Sequence, residues 1–161
     1  MTRGPFVALC LCLCCSPWQA RAGRDQAFKL SDEEKQVLDL TNAERQKEKL
    51  PPLKPNPILF KVARGHSENM ARQGKMEHVL DGKTPFDRLK AAGYKYAKGG
   101  ENIAAGDEKI PFDAVMKAWM ESKVHRENIL YPDFTEIGLG LVHDGKGKLY
   151  YTQVFARPFK H

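Results

Sequence analysis

Beyond residue 30, apolar residues recur at helical spacing in four separate blocks and give way to strand-like runs near the C-terminus. Ser31 with Glu34 forms an S-x-x-E capping box that predicts a helix from about Asp32 to Glu48. Its inward stripe is Val37, Leu38 and Thr41, with Lys35, Arg45 and Lys47 on the wet face. The segment LPPLKPNP breaks it. Asn56 and Pro57 then supply an N-cap and first turn for a second helix through about Gln73, stopped by Gly74. Leu59, Val62, Ala63, His66 and Met70 share one face of that helix, so His66 reads as a satisfied core or boundary histidine.

Thr84, Pro85 and Asp87 open a short third helix that Gly93 closes, and a proline-led helix runs from about Pro111 to Lys123. There Val115, Ala118, Trp119 and Ser122 fall on one side, with Trp119 as a core anchor. IGLGLV and LYYTQVFA predict an antiparallel hairpin across HDGKGK. The Gly-rich AKGGENIAAG reads as a turn region holding at most a short strand near Asn102 to Ala104. Helices first and a hairpin last, without strand-helix alternation, define an α+β fold.

The N-terminal stretch MTRGPFVALCLCLCCSPWQARAG changes the picture of where the chain works. A basic start, an apolar run too short to span a bilayer, and small residues at Ala20 and Ala22 predict a signal peptide over residues 1–22. Residues 23–161 then form one domain, secreted, extracellular or periplasmic, with no transmembrane segment in the mature chain. Lipid anchoring through a leader cysteine is the competing expectation. Cys10, Cys12, Cys14 and Cys15 all lie in the leader, so a cystine framework is excluded from the domain. Without Arg3 and Arg21, 24 basic residues face 20 acidic ones, and they are interspersed. That distribution describes solvated helix faces and argues against a nucleic-acid partner.

Candidate chemistry is sparse. His78 in KMEHVLDG, Glu101 in GGENIAAG, and Ser122 and His125 in ESKVHRENIL are the polar groups that stand out. Beyond the leader there is no H-E-x-x-H and no C-x-x-C to mark zinc. Two imidazoles and a carboxylate gathered by folding would hold zinc with an open position, or act as acid and base without metal. His125 equally reads as a helix C-terminal group favoured by the dipole, or as a hydrogen-bond neighbour of Ser122. A serine nucleophile at Ser122 lacks a G-x-S-x-G elbow. Gly99 and Gly100 suggest that unusual backbone places Glu101 beside something close.

With these residues in view, the chain resembles the CAP superfamily of cysteine-rich secretory, antigen five and pathogenesis-related class one proteins, also called the SCP domain. The resemblance rests on LTNAERQKEKLPPL, ARGHSENMARQGKMEH, GGENIAAG, VMKAWMESKVHRENILYPDFTEIGLGLV and YYTQVFARP, and is greatest to the secreted bacterial branch. It implies a three-layer α-β-α sandwich with a small antiparallel central sheet and a polar cleft. It further implies that His78 and Glu101 match the family's first cleft histidine and glutamate. Ser122 and Tyr150 stand where other branches carry a second glutamate and a second histidine, and His125 is the substitute. The cleft set is therefore His78, Glu101, Ser122, His125 and Tyr150, with His78, Glu101 and His125 as the ligand set for Zn2+. The expected function is binding of a small molecule, lipid or peptide by a monomer, with a His/Glu hydrolase and a cell-envelope interaction module as alternatives.

Overall fold

The computed structural model describes Met1 and residues 28–159, so the leader, its cysteines and the cleavage near Ala22 lie outside the described residues. A four-stranded sheet, ordered β1-β3-β4-β2, lies between two helical layers. The strands are β1 (Lys54–Pro55), β2 (Tyr96–Asp107), β3 (Glu136–His143) and β4 (Lys148–Pro158). The helices are α1 (Asp32–Lys47), α2 (Pro57–Gln73), α3 (Pro85–Ala91), α4 (Phe112–Glu121) and α5 (Lys123–Ile129). This is the α-β-α sandwich expected of the family. The sheet is not wholly antiparallel, because β1 runs parallel to β3 in the segment read as a helix breaker. Two proline-flanked residues at a sheet edge suffice for that pairing, since an edge strand can spare a donor.

Local signals set the helix ends. The Ser31 hydroxyl accepts from Glu34 N–H and the Glu34 carboxylate accepts from Ser31 N–H, completing the capping box. Asn56 caps α2 through Ile58 and Leu59, and Gly74 ends it at φ 65°. Thr84 and Asp87 repeat the capping box at α3.

β4 is the buried centre, and its alternation divides the core. Tyr151 and Phe155 pack with Val37, Met116, Trp119 and Ile129 from α1, α4 and α5. Val154 and Ala156 pack with Leu59, Val62 and Ala63 of α2 and Leu89 of α3. Helix α2 lies directly on β3: a Cβ on Gly138 would sit 2.0 Å from the Leu59 carbonyl carbon, and one on Gly140 2.4 Å from that of Ala63. Ser67 fastens the contact, donating to Gly140 O at 2.8 Å and pairing with the Thr152 hydroxyl.

Three expectations need correction. Arg45 is not on the wet face but fully buried, with its guanidinium bonded to the carbonyls of Pro51, Ile129, Tyr131 and Phe134. The Gly-rich stretch does hold the strand expected near Asn102 to Ala104, but that strand runs twelve residues along the sheet edge and pairs with β4 over almost its whole length. The last helix is interrupted, because Ser122 adopts extended backbone (φ −83°, ψ 119°) between α4 and α5.

Candidate polar cleft

Glu101 sits in the middle of β2, opposite Val154, so its side chain faces the α2 layer. It is nearly buried, at 2% side-chain exposure, and both carboxylate oxygens are engaged. His78 Nδ1 donates to Oε1 at 2.8 Å, and Arg88 Nη2 donates to Oε2 at 2.7 Å. His66 Nε2 lies 3.8 Å from Oε1. Four separate segments thus meet: α2 brings His66, the loop after Gly74 brings His78, α3 brings Arg88 and β2 brings Glu101.

The glycine before Glu101 is required for space rather than for backbone freedom. Neither Gly99 nor Gly100 has positive φ. A Cβ on Gly100 would lie 2.8 Å from Asn128 Oδ1 and 3.1 Å from the Phe134 ring, so its absence lets α5 dock against β2. Asn128 then donates to the Glu101 carbonyl and to Asn102 Oδ1, while Asn102 donates to His125 O and to Gln153 Oε1. Gln153 continues the chain to Thr41 of α1. This buried amide relay holds β2 and α5 in register, and with them Glu101 and His125.

The expected site residues fare differently. His78 and Glu101 are in direct contact. His125 is half-buried in the first turn of α5, the end of a helix that disfavours an imidazolium, so the C-terminal dipole reading is reversed. Burial holds its ring below the usual histidine range, and neighbouring His78 pushes the same way. Ser122 makes no side-chain capping bond at the α4–α5 break. Tyr150 is 1% exposed and sealed among Met70, Leu80 and Ile103, on the same sheet face as Glu101 but away from solvent.

Two members were missed. His66 is buried as expected but not satisfied: both ring nitrogens lack a partner, and burial drives its pKa down against the pull of Glu101. Arg88, in TPFDRLKAAG, carries no sequence signal beyond its place on a short amphipathic helix.

The exposed end of the set is apolar at its margins. His78 is 48% exposed in its side chain, flanked in its loop by exposed Met76 and Val79, and exposed Val124 precedes His125. With Nδ1 committed to Glu101, His78 has Nε2 free as an acceptor. A zinc site of the expected composition does not fit this arrangement. Each Glu101 oxygen already accepts a short bond, and among the described residues no three of His, Cys, Asp and Glu are disposed to hold a metal ion.

Geometry and sequence comparison agree on the class of protein. The family model described as CAP, the cysteine-rich secretory protein family, matches residues 38–155, and the chain belongs to that family. It is a CAP-domain protein of the bacterial type. It is 48% identical over 113 residues to Uncharacterized protein YkwD of Bacillus subtilis, a match covering 70% of this chain and 43% of that one. An extracellular protein containing an SCP domain from Bacillus anthracis superposes with a TM-score of 0.68 at 31% identity, over 81% of this chain and 45% of that one. An outer surface protein of Borrelia burgdorferi shares the fold, with a TM-score of 0.74 at 23% identity over 82% and 98% of the two chains. The chain thus spans less than half the length of the two Bacillus proteins. Among the described residues no helix is long and apolar enough to cross a membrane.

Proposed function

We propose that this chain is an exported binding module whose cleft takes a small molecule, lipid or peptide through His78 and His125. The observation that carries the reading is the arrangement behind His78. A buried carboxylate, itself held by the Arg88 guanidinium, fixes its Nδ1, leaving Nε2 as the accessible acceptor of the cluster. Met76, Val79 and Val124, near the two histidines in sequence and exposed, offer apolar surface for the rest of a ligand, the mixture common in small-molecule sites. Export is supported by the leader in the sequence and by the extracellular description of the Bacillus anthracis relative.

The test is a panel of peptides, fatty acids and sterols followed by NMR of 15N-histidine-labelled domain. A ligand of this cleft shifts the His78 and His125 ring resonances and loses affinity at least about tenfold in His78→Ala. Panel members that bind His78→Ala and wild type equally would remove the cleft from the reading.

A second reading is favoured by the Glu101–His78 pair itself. A carboxylate accepting from Nδ1–H orients an imidazole whose Nε2 can remove a proton from water as the oxygen attacks a carbonyl; Glu101 then steadies the imidazolium. Peptide and ester hydrolysis that vanishes in His78→Ala supports it, and equal rates in the two proteins end it.

A further inference from the structure

The cluster that orients His78 has a second consequence, for the charge the cleft accepts. We propose that Arg88 is the cleft's own built-in cation: it occupies the charge-compensating place beside Glu101, so this cleft excludes divalent metal ions and selects ligands without positive charge.

The guanidinium is held from three sides. Nη2 donates to Glu101 Oε2 at 2.7 Å, and Nη1 donates at 3.0 Å to both His78 O and Lys83 O. Its side chain is 13% exposed. Arginine suits this place because its fork spans a carboxylate and two carbonyls at once, which a point-charge ammonium cannot do. Swinging away to admit a metal would strand the carbonyls of the His78 loop as well as the carboxylate.

Three features weigh against a metal site. Each Glu101 oxygen already accepts one short bond, Oε1 from His78 and Oε2 from Arg88, so a metal ion would have to compete with those donors. His66 is fully buried, so His78 and His125 are the two imidazoles of the cluster that reach solvent, one short of the three protein ligands of an open zinc site. Arg88 also neutralises Glu101, so an incoming divalent ion meets no uncompensated anion in these partly desolvated surroundings. An ammonium group on a ligand likewise finds no uncompensated anion there.

The exclusion does not depend on which ligand the cleft takes, and its test uses metal alone. Zinc binding is measured by calorimetry on wild type, Arg88→Met and Arg88→Lys, each compared with the same protein carrying His78→Ala. The quantity read is the zinc lost on removing His78, which cancels binding elsewhere on the surface. Wild type and Arg88→Lys are expected to show none. Arg88→Met is expected to gain a His78-dependent site, tighter by roughly tenfold or more, from removal of one like charge near the ion.

His78-dependent zinc in wild type overturns the proposal, as does a folded Arg88→Met that gains none. Where Arg88→Met fails to fold, 15N spectra of the wild-type Arg88 guanidinium decide. Resonances unmoved by added zinc support the proposal, and displacement of the Arg88 side chain refutes it. A structural role alone would not let Arg88→Lys and Arg88→Met part company.

Discussion

Arg45 Nη1 donates to the carbonyl of Ile129 at 2.8 Å, joining the last turn of α1 to the last turn of α5 across 84 residues. The same guanidinium takes the carbonyls of Pro51, Tyr131 and Phe134, so a fully buried charge is met by carbonyl dipoles. Burial alone pulls its pKa down, and the C-terminal end of α5 compensates through its partial negative charge. Arg45→Met fills the volume but strands the carbonyls. We expect a loss of about 3 kcal/mol in urea unfolding. Arg45→Lys should recover less than half of it, because an ammonium cannot bridge four acceptors. A loss below about 1 kcal/mol in Arg45→Met would show that these bonds contribute little.

Two glycines, one in the α2–β3 contact and one on the exposed face of α2, should respond in opposite directions. Gly138 has no room, its added Cβ falling 2.0 Å from the Leu59 backbone, so Gly138→Ala must lift α2 off β3. A cost of about 3 kcal/mol is expected, at the upper end for overpacking. Gly65, inside α2, meets nothing within 4 Å and has ordinary helical φ. Gly65→Ala should therefore stabilise by about 0.5 to 1 kcal/mol through helix propensity and reduced unfolded-state entropy. Thermal unfolding of the two variants decides, and a destabilised Gly65→Ala would contradict the open space found there.

What the sequence made legible was whatever depends on near neighbours. Ser31 with Glu34, Asn56 with Pro57, and Gly74 mark helix ends because a cap satisfies amides within three residues, and the structure keeps each of them. The hairpin followed from strand runs around a turn. Arg45 and β2 were misread because their partners lie far away. A guanidinium reads as surface until its carbonyls arrive from residues 51 to 134, and AKGGENIAAG reads as little more than a short strand until β4 pairs with it. Of the cleft, His78 and Glu101 were legible through family resemblance, while Arg88 and the unsatisfied state of His66 needed coordinates. Ser122 misled in its own way: a stretch that reads as one helix is broken there, which moves His125 from a helix end to a helix start.

Two histidines should pull stability in opposite directions with pH, and each can be isolated. His66 is buried without a ring partner, facing Glu101, Arg88, His78 and the backbone of Glu77, and its pKa is lowered chiefly by burial. A folded pKa below the unfolded one means that the contribution is complete above about pH 6.5 and is lost as pH falls from there towards the folded pKa. His143 is the reverse. Nδ1 and Nε2 lie 3.0 Å from Glu108 and 3.1 Å from Glu33, so both nitrogens donate only as imidazolium, and those bonds raise its pKa. Its contribution is complete below about pH 6.5 and disappears as pH rises through the raised folded value. Its ring is 43% exposed, so screening limits it to roughly 0.5 kcal/mol. In melting curves from pH 5 to pH 9, His66→Leu should flatten the acid side relative to wild type. His143→Gln should lower stability only on the acid side and converge with wild type at pH 9. A His143→Gln deficit that persists undiminished at pH 9 would mean the ring acts by packing and not by charge.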